Sequence, residues 1–75
     1  MKGRPSLQKR IGAELRKRRE ALGVSQEGFA DRIEMHRAYY SALERGEKNL
    51  QLSTLERVCE GLKVKVWEVL KDAED

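Results

Sequence analysis

Two short apolar sets near the middle of the chain restrict its folding more than any other feature. Phe29, Ala30 and Ile33 have the spacing of one helical face. Tyr40 and Leu43 have the spacing of a second face a few residues later. Helices joined by a turn of about three residues cross steeply, at roughly 90–120°. The small Ala30 side chain lets them lie close, although an ordinary helical hairpin can give the same spacing.

Helical spacing and end signals continue on both sides of this pair. Apolar residues predict a first helix from about Ser6 to Leu22, where Gly23 ends it. Ser25 is a typical N-cap for the second helix. The third helix is predicted from about His36 to Arg45, because Gly46 follows and ends it.

Two further helices are predicted toward the C-terminus. Ser53-Thr54-Leu55-Glu56 has the pattern of a capping box, which starts a fourth helix that reaches Leu62. Apolar residues from Val66 to Leu70 predict a short fifth helix. No segment alternates with period two, so no strand is expected. The fold class predicted is therefore all-α, a compact domain of five helices.

Length and composition fit a single domain. A chain of 75 residues buries only about 60% of its unfolded surface, too little for a large catalytic scaffold. We expect a flexible basic tail at 1–6, one domain at 7–72 and an acidic end at 73–75. The longest apolar run has three residues, far short of the roughly 20 that span a bilayer. The N-terminus lacks the apolar region of a secretory signal, so no membrane partner is expected.

Neither an enzyme nor a metal or cofactor site is expected. The chain has one histidine, no phosphate-binding glycine loop and no paired nucleophile and base. Its single cysteine, Cys59, falls on the apolar face of the fourth helix with no second metal ligand. A lone cysteine excludes an internal disulfide, which fits a cytoplasmic protein best.

The charge is distributed unevenly along the chain. The first 20 residues carry eight basic and two acidic side chains, whereas the remainder carries eight basic and eleven acidic ones. The excess of basic residues in the first 20 positions indicates an anionic partner on one side of the protein, most commonly nucleic acid. A merely solvated basic helix explains the charge equally well.

The steeply crossed pair, at about 26–45, is the helix-turn-helix arrangement, whose later helix enters the major groove of DNA. Further motifs surround it: Leu15-Arg16-x-x-Arg19, Leu22-Gly23-Val24-Ser25-Gln26-Glu27, Phe29-Ala30, Leu43-Glu44-Arg45-Gly46 and Leu55-x-x-Val58-x-x-x-Leu62-x-Val64. Together they resemble the phage repressor and Cro type of helix-turn-helix protein, the Xre family, from Ile11 to Leu70. Residues 37–45 and 47–50 are also similar to controller proteins of restriction–modification systems. The resemblance implies a lambda-repressor-like fold and regulation of transcription on double-stranded DNA.

Two charged residues lie beside the apolar faces. Arg19 follows Leu15 by four residues on the first helix, and Glu44 follows Tyr40 by four on the third. A charge that faces a core is costly unless it is paired. We therefore predict a structural salt bridge between Arg19 and Glu44, which the family resemblance also implies. The alternative is that both side chains extend to water.

The outer face of the third helix carries most of the predicted DNA contacts. Arg37 is the best base reader, because a guanidinium can bond guanine O6 and N7 together. Ala38 and Ala42 have room to touch thymine methyl groups. The resemblance implies a backbone contact at Gln26 and contacts to phosphates or bases just after the third helix. The full set is Ser25, Gln26, His36, Arg37, Ala38, Tyr39, Ser41, Ala42, Arg45, Lys48 and Asn49.

Plainer explanations stay open for these residues. Arg37 and Lys48 can be solvated surface charges, the two alanines can be helix formers, and Tyr39 can be a packing residue. The basic arm Lys2-Gly3-Arg4-Pro5 can enter the minor groove. More often such a tail only adds nonspecific attraction, and this is the reading we favour.

Several positions, among them Glu34, His36 and Tyr40, depart from the family's pattern. Glu34 occupies the turn where glycine is common, because the backbone there is often left-handed, and a non-glycine residue costs roughly 1 kcal/mol. His36 replaces the usual cap of the third helix. Tyr40 brings a hydroxyl that needs a partner if it is buried. The departures at Glu34 and His36 bear on the angle at which the third helix docks on DNA.

The last helix carries more large apolar groups than an exposed helix needs. We predict that Leu50, Val66, Trp67 and Leu70 contribute to a homodimer contact, since one recognition helix reads few bases. The alternative is that Trp67 only covers the monomer core. The expected activity is occupancy of a near-palindromic operator, which blocks RNA polymerase or activates by contacting it. The rival is a helix-turn-helix module of the antitoxin or adaptor kind, whose main partner is another protein.

Overall fold

The computed structural model describes residues 3–75 as five α-helices joined by short loops. They are α1 (Leu7–Ala21), α2 (Gln26–Arg32), α3 (Arg37–Glu44), α4 (Leu52–Leu62) and α5 (Val66–Glu74). No strand occurs within these residues, so the all-α prediction is confirmed. Within the same range, no helix combines the length and the apolar character needed to cross a membrane.

Serine side chains cap the first two helices. Ser6 Oγ accepts a hydrogen bond from Lys9 N–H at 3.2 Å, and Ser25 Oγ accepts one from Gly28 N–H at 3.0 Å. Each such cap stabilises a helix by about 1 kcal/mol. The third helix begins after His36 with no side-chain cap, as the departure at this position predicts.

Two local predictions are wrong. The capping box expected at Ser53 does not form, because α4 already begins at Leu52, with Gln51 at the N-cap. This earlier start lets Leu55 N–H donate to Gln51 O at 3.0 Å, a backbone bond that a cap at Ser53 would lose. Leu22, expected on the apolar face of the first helix, is 48% exposed because α1 ends one residue before it.

The core joins all five helices. Its most deeply buried side chains are Tyr40, Phe29, Leu15, Leu55, Val58, Val69 and Cys59. The rings of Phe29 and Tyr40 pack with centroids 5.2 Å apart, which couples α2 to α3. Gly12 lets α1 cross α3 closely, since a Cβ there would lie 2.5 Å from the carbonyl oxygens of Leu43 and Glu44.

Arg4 and Arg10 contact the C-terminus of α5. The Arg4 guanidinium donates to Glu74 O at 2.7 Å, and Arg10 Nε donates to Ala73 O at 3.1 Å. Cations at this end of a helix satisfy its last carbonyls and complement its dipole. The final helix thus includes most of the acidic end predicted at 73–75. Lys2 of the predicted basic arm lies outside the described residues.

Candidate nucleic-acid interface

A tight turn sets the angle between α2 and α3. Glu34 follows the end of α2 with a φ of 56°, in the left-handed region. Its N–H donates to Asp31 O at 3.1 Å. Met35 N–H then donates to Ala30 O at 2.8 Å, which completes a Schellman motif. The turn therefore has the conformation that favours glycine, and it holds a glutamate at a cost of roughly 1–2 kcal/mol.

Arg57 of α4 contacts the same turn from the other side. Its Nε donates to Ile33 O at 3.0 Å, and its Nη2 donates to Glu34 O. Gly61, one helical turn further along α4, lies so close that a Cβ there would collide with the Ile33 side chain. No pattern in the sequence points to Arg57, because helical spacing gives the face of a residue but not its neighbour.

The structure brings together the two charges predicted to pair. Arg19 Nε donates to Glu44 Oε2 at 2.7 Å, and Arg19 Nη2 donates to Glu44 Oε1 at 3.1 Å. The side chains are only 8% and 1% exposed, so this two-pronged bridge between α1 and α3 is shielded from water. Arg19 Nη1 also donates to Val24 O at 2.7 Å, which fixes the loop before α2.

Gln26 joins this buried pair to the protein surface. Its Nε2 donates to Glu44 Oε1 at 2.8 Å. Burial would raise the pKa of Glu44, but hydrogen bonds, led by those from Arg19, outweigh it and hold that pKa below its usual range. The buried Tyr40 hydroxyl finds no hydrogen-bond partner of ordinary geometry within residues 3–75, and burial raises its pKa.

The outer face of α3 forms a shallow open depression of about 420 Å³. Its lining residues are His36, Arg37, Ala38, Ser41 and Arg45. The Arg37 side chain is exposed and makes no hydrogen bond or ion pair with any residue from 3 to 75. Its guanidinium is therefore available to an external acceptor at the first turn of the helix. Tyr39 is half-buried and packs against the core, so packing accounts for part of this side chain.

Ala42 of α3 and Arg45, the C-cap residue after it, differ from the predicted outward arrangement. Ala42, expected on the outer face, is only 5% exposed, so the structure does not place it at the surface where its predicted contact with thymine methyl groups would be made. The chain folds back there, and Glu47 N–H donates to Ala42 O at 2.9 Å. Arg45 donates from Nη1 to Ser41 Oγ at 2.6 Å and from Nε to Glu47 Oε1 at 3.0 Å. These exposed partners would have to yield before Arg45 could reach DNA.

The remaining predicted contacts flank α3. Lys48 and Asn49 are exposed in the loop after it, and neither makes a side-chain hydrogen bond within the described part of the chain. Ser25 is exposed, but its oxygen caps α2. Gln26 is half-buried, with its amide nitrogen turned toward Glu44. Lys48, Asn49 and Arg37 thus all carry exposed side-chain donors.

Residues 10–70 match the family of helix-turn-helix domains, which covers both helices of the crossed pair and the elements that support it. The chain belongs to this helix-turn-helix family. The match begins in α1 and ends in α5, so the matched range contains the Arg19–Glu44 bridge and the turn at Glu34 of this chain.

Individual relatives of this helix-turn-helix protein are regulators. Control protein C.MunI from Mycoplasma sp is 41% identical over 66 residues, 87% of this chain and 89% of that protein. The clp gene regulator ClgR from C. glutamicum has a TM-score of 0.91 at 34% identity, covering 99% of this chain and 95% of that one. The restriction–modification controller C.Esp1396I, solved as a tetramer with its natural 35-base-pair operator, has a TM-score of 0.82 at 29% identity, covering 96% and 100%. The predicted resemblance to Xre-type regulators and controller proteins is confirmed.

An apolar surface lies near the helix-turn-helix unit. An open groove of about 280 Å³ is lined by Leu7, Gln8, Ile11, Leu50, Leu52, Leu55 and Leu70. Trp67 lies one turn from Leu70 on the same helix and is 63% exposed, so most of its side chain does not cover the monomer core. Val66 is half-buried. Leu52 is 76% exposed at the groove, and the sequence did not single it out because it was expected in a loop.

Proposed function

We propose that this helix-turn-helix protein is a sequence-specific regulator of transcription, which binds a near-palindromic operator as a homodimer with α3 in the major groove. The observation that carries the proposal is the exposed, unpaired Arg37 at the start of a short helix, which two rigid contacts hold in place. One contact is the bridge from Arg19 to Glu44, and the other is the turn at Glu34. A helix end held in this way can present a side chain to a base edge.

Arg37 is the proposed base reader, since its planar guanidinium can donate hydrogen bonds to both O6 and N7 of guanine. Ala38, exposed beside it, allows close approach and contact with a thymine methyl group. Ser41 and Arg45 are proposed to exchange their mutual hydrogen bond for contacts to DNA. The other proposed contacts, to phosphates or base edges, come from Ser25, Gln26, His36, Tyr39, Lys48 and Asn49.

The homodimer is proposed to form through the apolar groove and the exposed Trp67. Leu50, Val66 and Leu70 take part as predicted, and the exposed Leu52 joins them. A two-fold contact places the same patch on both subunits, so one Trp67 faces the partner's groove. The tetrameric complex of C.Esp1396I with its operator supports assembly of multimers on DNA. Two recognition helices then meet half-sites about one helical turn, roughly 34 Å, apart.

Regulation by occupancy follows from this arrangement. A dimer on an operator blocks RNA polymerase, or contacts it and activates. Contacts to phosphates make the affinity fall steeply with salt. The relatives are regulators rather than enzymes, which supports a binding function without catalysis.

Selection from randomised duplex DNA at physiological salt tests the proposal. We expect enrichment of an inverted repeat, and Arg37→Ala should relax the preference at one base pair of each half-site. A matched control is Arg16→Ala, which removes an exposed arginine of α1 that pairs with Glu20. Retention of DNA without enrichment would refute sequence-specific binding. It would favour a protein partner, as in an antitoxin or adaptor.

A further inference from the structure

We propose that Arg57 is a positioning residue for DNA recognition, which fixes the start of α3 by binding the carbonyl oxygens of the left-handed turn. Arg57 acts from α4 without touching DNA itself. The inference rests on the proposed DNA-binding function, and one measurement in its test does not depend on DNA.

The turn between α2 and α3 leaves backbone acceptors without partners of its own. The Schellman motif uses the carbonyls of Ala30 and Asp31. Those of Ile33 and Glu34 receive the two donors of Arg57 instead. Hydrogen bonds from a charged donor are stronger than neutral ones. Arg57 therefore supplies the hydrogen-bond donors that the carbonyls of Ile33 and Glu34 lack within the turn.

The turn also needs external support because Glu34 is left-handed at φ 56°. A non-glycine residue in this region is strained, and it keeps the conformation only where its surroundings impose it. Arg57 binds the carbonyl of Glu34 itself and that of the residue before it. Gly61 lies one turn along the same helix and lets α4 reach the turn closely. Arg57 and Gly61 therefore place α4 in direct contact with the turn.

Within residues 3–75, Arg57 is the only residue whose side chain donates a hydrogen bond to the turn or to the start of α3. His36 provides no side-chain cap, and Arg37, the proposed base reader, lies three residues after Glu34. The Arg19–Glu44 bridge holds the opposite end of α3. An eight-residue helix is about 12 Å long, so a rotation of about 10° about one end moves the other by about 2 Å. Such a shift exceeds what a bidentate hydrogen bond to guanine tolerates.

The test compares Arg57→Met with Arg32→Met. Both changes keep an apolar stem and remove one positive charge near the turn, but Arg32 donates no side-chain hydrogen bond within residues 3–75. Dissociation constants are measured for the selected operator and for a scrambled duplex over a range of salt, at a temperature where circular dichroism shows folded protein. Arg57→Met should weaken operator binding about tenfold. Binding to the scrambled duplex and the salt slope should stay unchanged, and Arg32→Met should leave the ratio of the two affinities intact.

A second change checks the cause of the loss. Glu34→Gly removes the strain of the left-handed turn, so it should restore part of the operator affinity in the Arg57→Met background. Equal losses on both duplexes, with a salt slope shallower by about one unit, would mean that Arg57 holds a phosphate. An unchanged affinity ratio with lower thermal stability would mean that Arg57 only supports the fold. Either result would overturn the proposal.

Backbone amide NMR shifts give the readout that needs no DNA. Arg57→Met should move the amides of residues 34–40 and leave those of α1 in place. Unmoved amides at the start of α3 would refute the positioning role, whatever the protein binds. Moved amides in a protein that selects no operator would instead refute the proposed function and keep the contact.

Discussion

Removing one partner of the buried Arg19–Glu44 bridge should destabilise the protein far more than removing both. Arg19→Met leaves the Glu44 carboxylate, 1% exposed, with Gln26 as its one remaining strong donor. Glu44→Leu leaves the Arg19 guanidinium with Val24 O alone. Each single change should cost about 3–5 kcal/mol, because a buried charge loses its partner. The double change leaves only polar neutral groups unpaired and should cost about 2 kcal/mol.

A double-mutant cycle of urea unfolding, followed by circular dichroism, measures the coupling. A 75-residue domain has a free energy of unfolding of about 4–11 kcal/mol, so sucrose should be added to keep the single variants folded. With these losses, the coupling in the cycle should be about 4–8 kcal/mol. The control cycle uses Arg16 and Glu20, an exposed pair of the same kind, whose coupling should stay below about 0.5 kcal/mol. Additive losses at Arg19 and Glu44 would refute the account of the bridge.

The same bridge should make stability sensitive to acid. The folded-state pKa of Glu44 lies below its usual value of about 4.3, so the carboxylate stabilises the fold above that pH. This contribution is lost as the pH falls through the folded-state pKa. The variant that lacks both charges should lose less stability between neutral and acid pH than the wild type. An identical acid profile would contradict the assignment.

Three further predictions concern DNA binding, assembly and the turn. Arg37→Ala should cost about 1–3 kcal/mol of operator binding free energy and relax the preference for one base. Lys48→Ala should instead lower the affinity for all duplexes alike. Fluorescence anisotropy with operator variants distinguishes these two results. Trp67→Ala should weaken the dimer in analytical ultracentrifugation without loss of helical circular dichroism, and an unchanged dimer would exclude this surface. Glu34→Gly should raise the free energy of unfolding by up to about 1 kcal/mol, and a loss of stability would show that the turn is unstrained.

Sequence spacing predicted the elements best where the pattern repeats. The five helices and the crossed pair follow from periodic apolar residues and from end signals such as Gly23 and Ser25. The predicted start of α4 was wrong because Ser53-x-x-Glu56 satisfies a local rule, while the helix gains two residues by starting at Leu52. Local signals compete with backbone hydrogen bonds that the pattern does not display.

Face assignment was less certain than helix assignment. Ala42 was expected to point outward, on the face opposite Tyr40 and Leu43, but its side chain is only 5% exposed. Arg57 could not be predicted at all, since its role depends on the turn of another helix. The bridge from Arg19 to Glu44 was predictable because a charge next to an apolar stripe needs a partner.

The basic N-terminal region shows why net charge is a weak guide to a DNA surface. Arg4 and Arg10 bind the last carbonyls of α5, and Arg18 bridges to Asp72 at 2.5 Å. These contacts hold the helix that carries Trp67, the residue proposed for the dimer contact. Salt screens exposed ion pairs as well as phosphate contacts. The salt slope of operator binding should therefore exceed that expected from phosphate contacts alone, and a covalently linked dimer should bring it down toward that value.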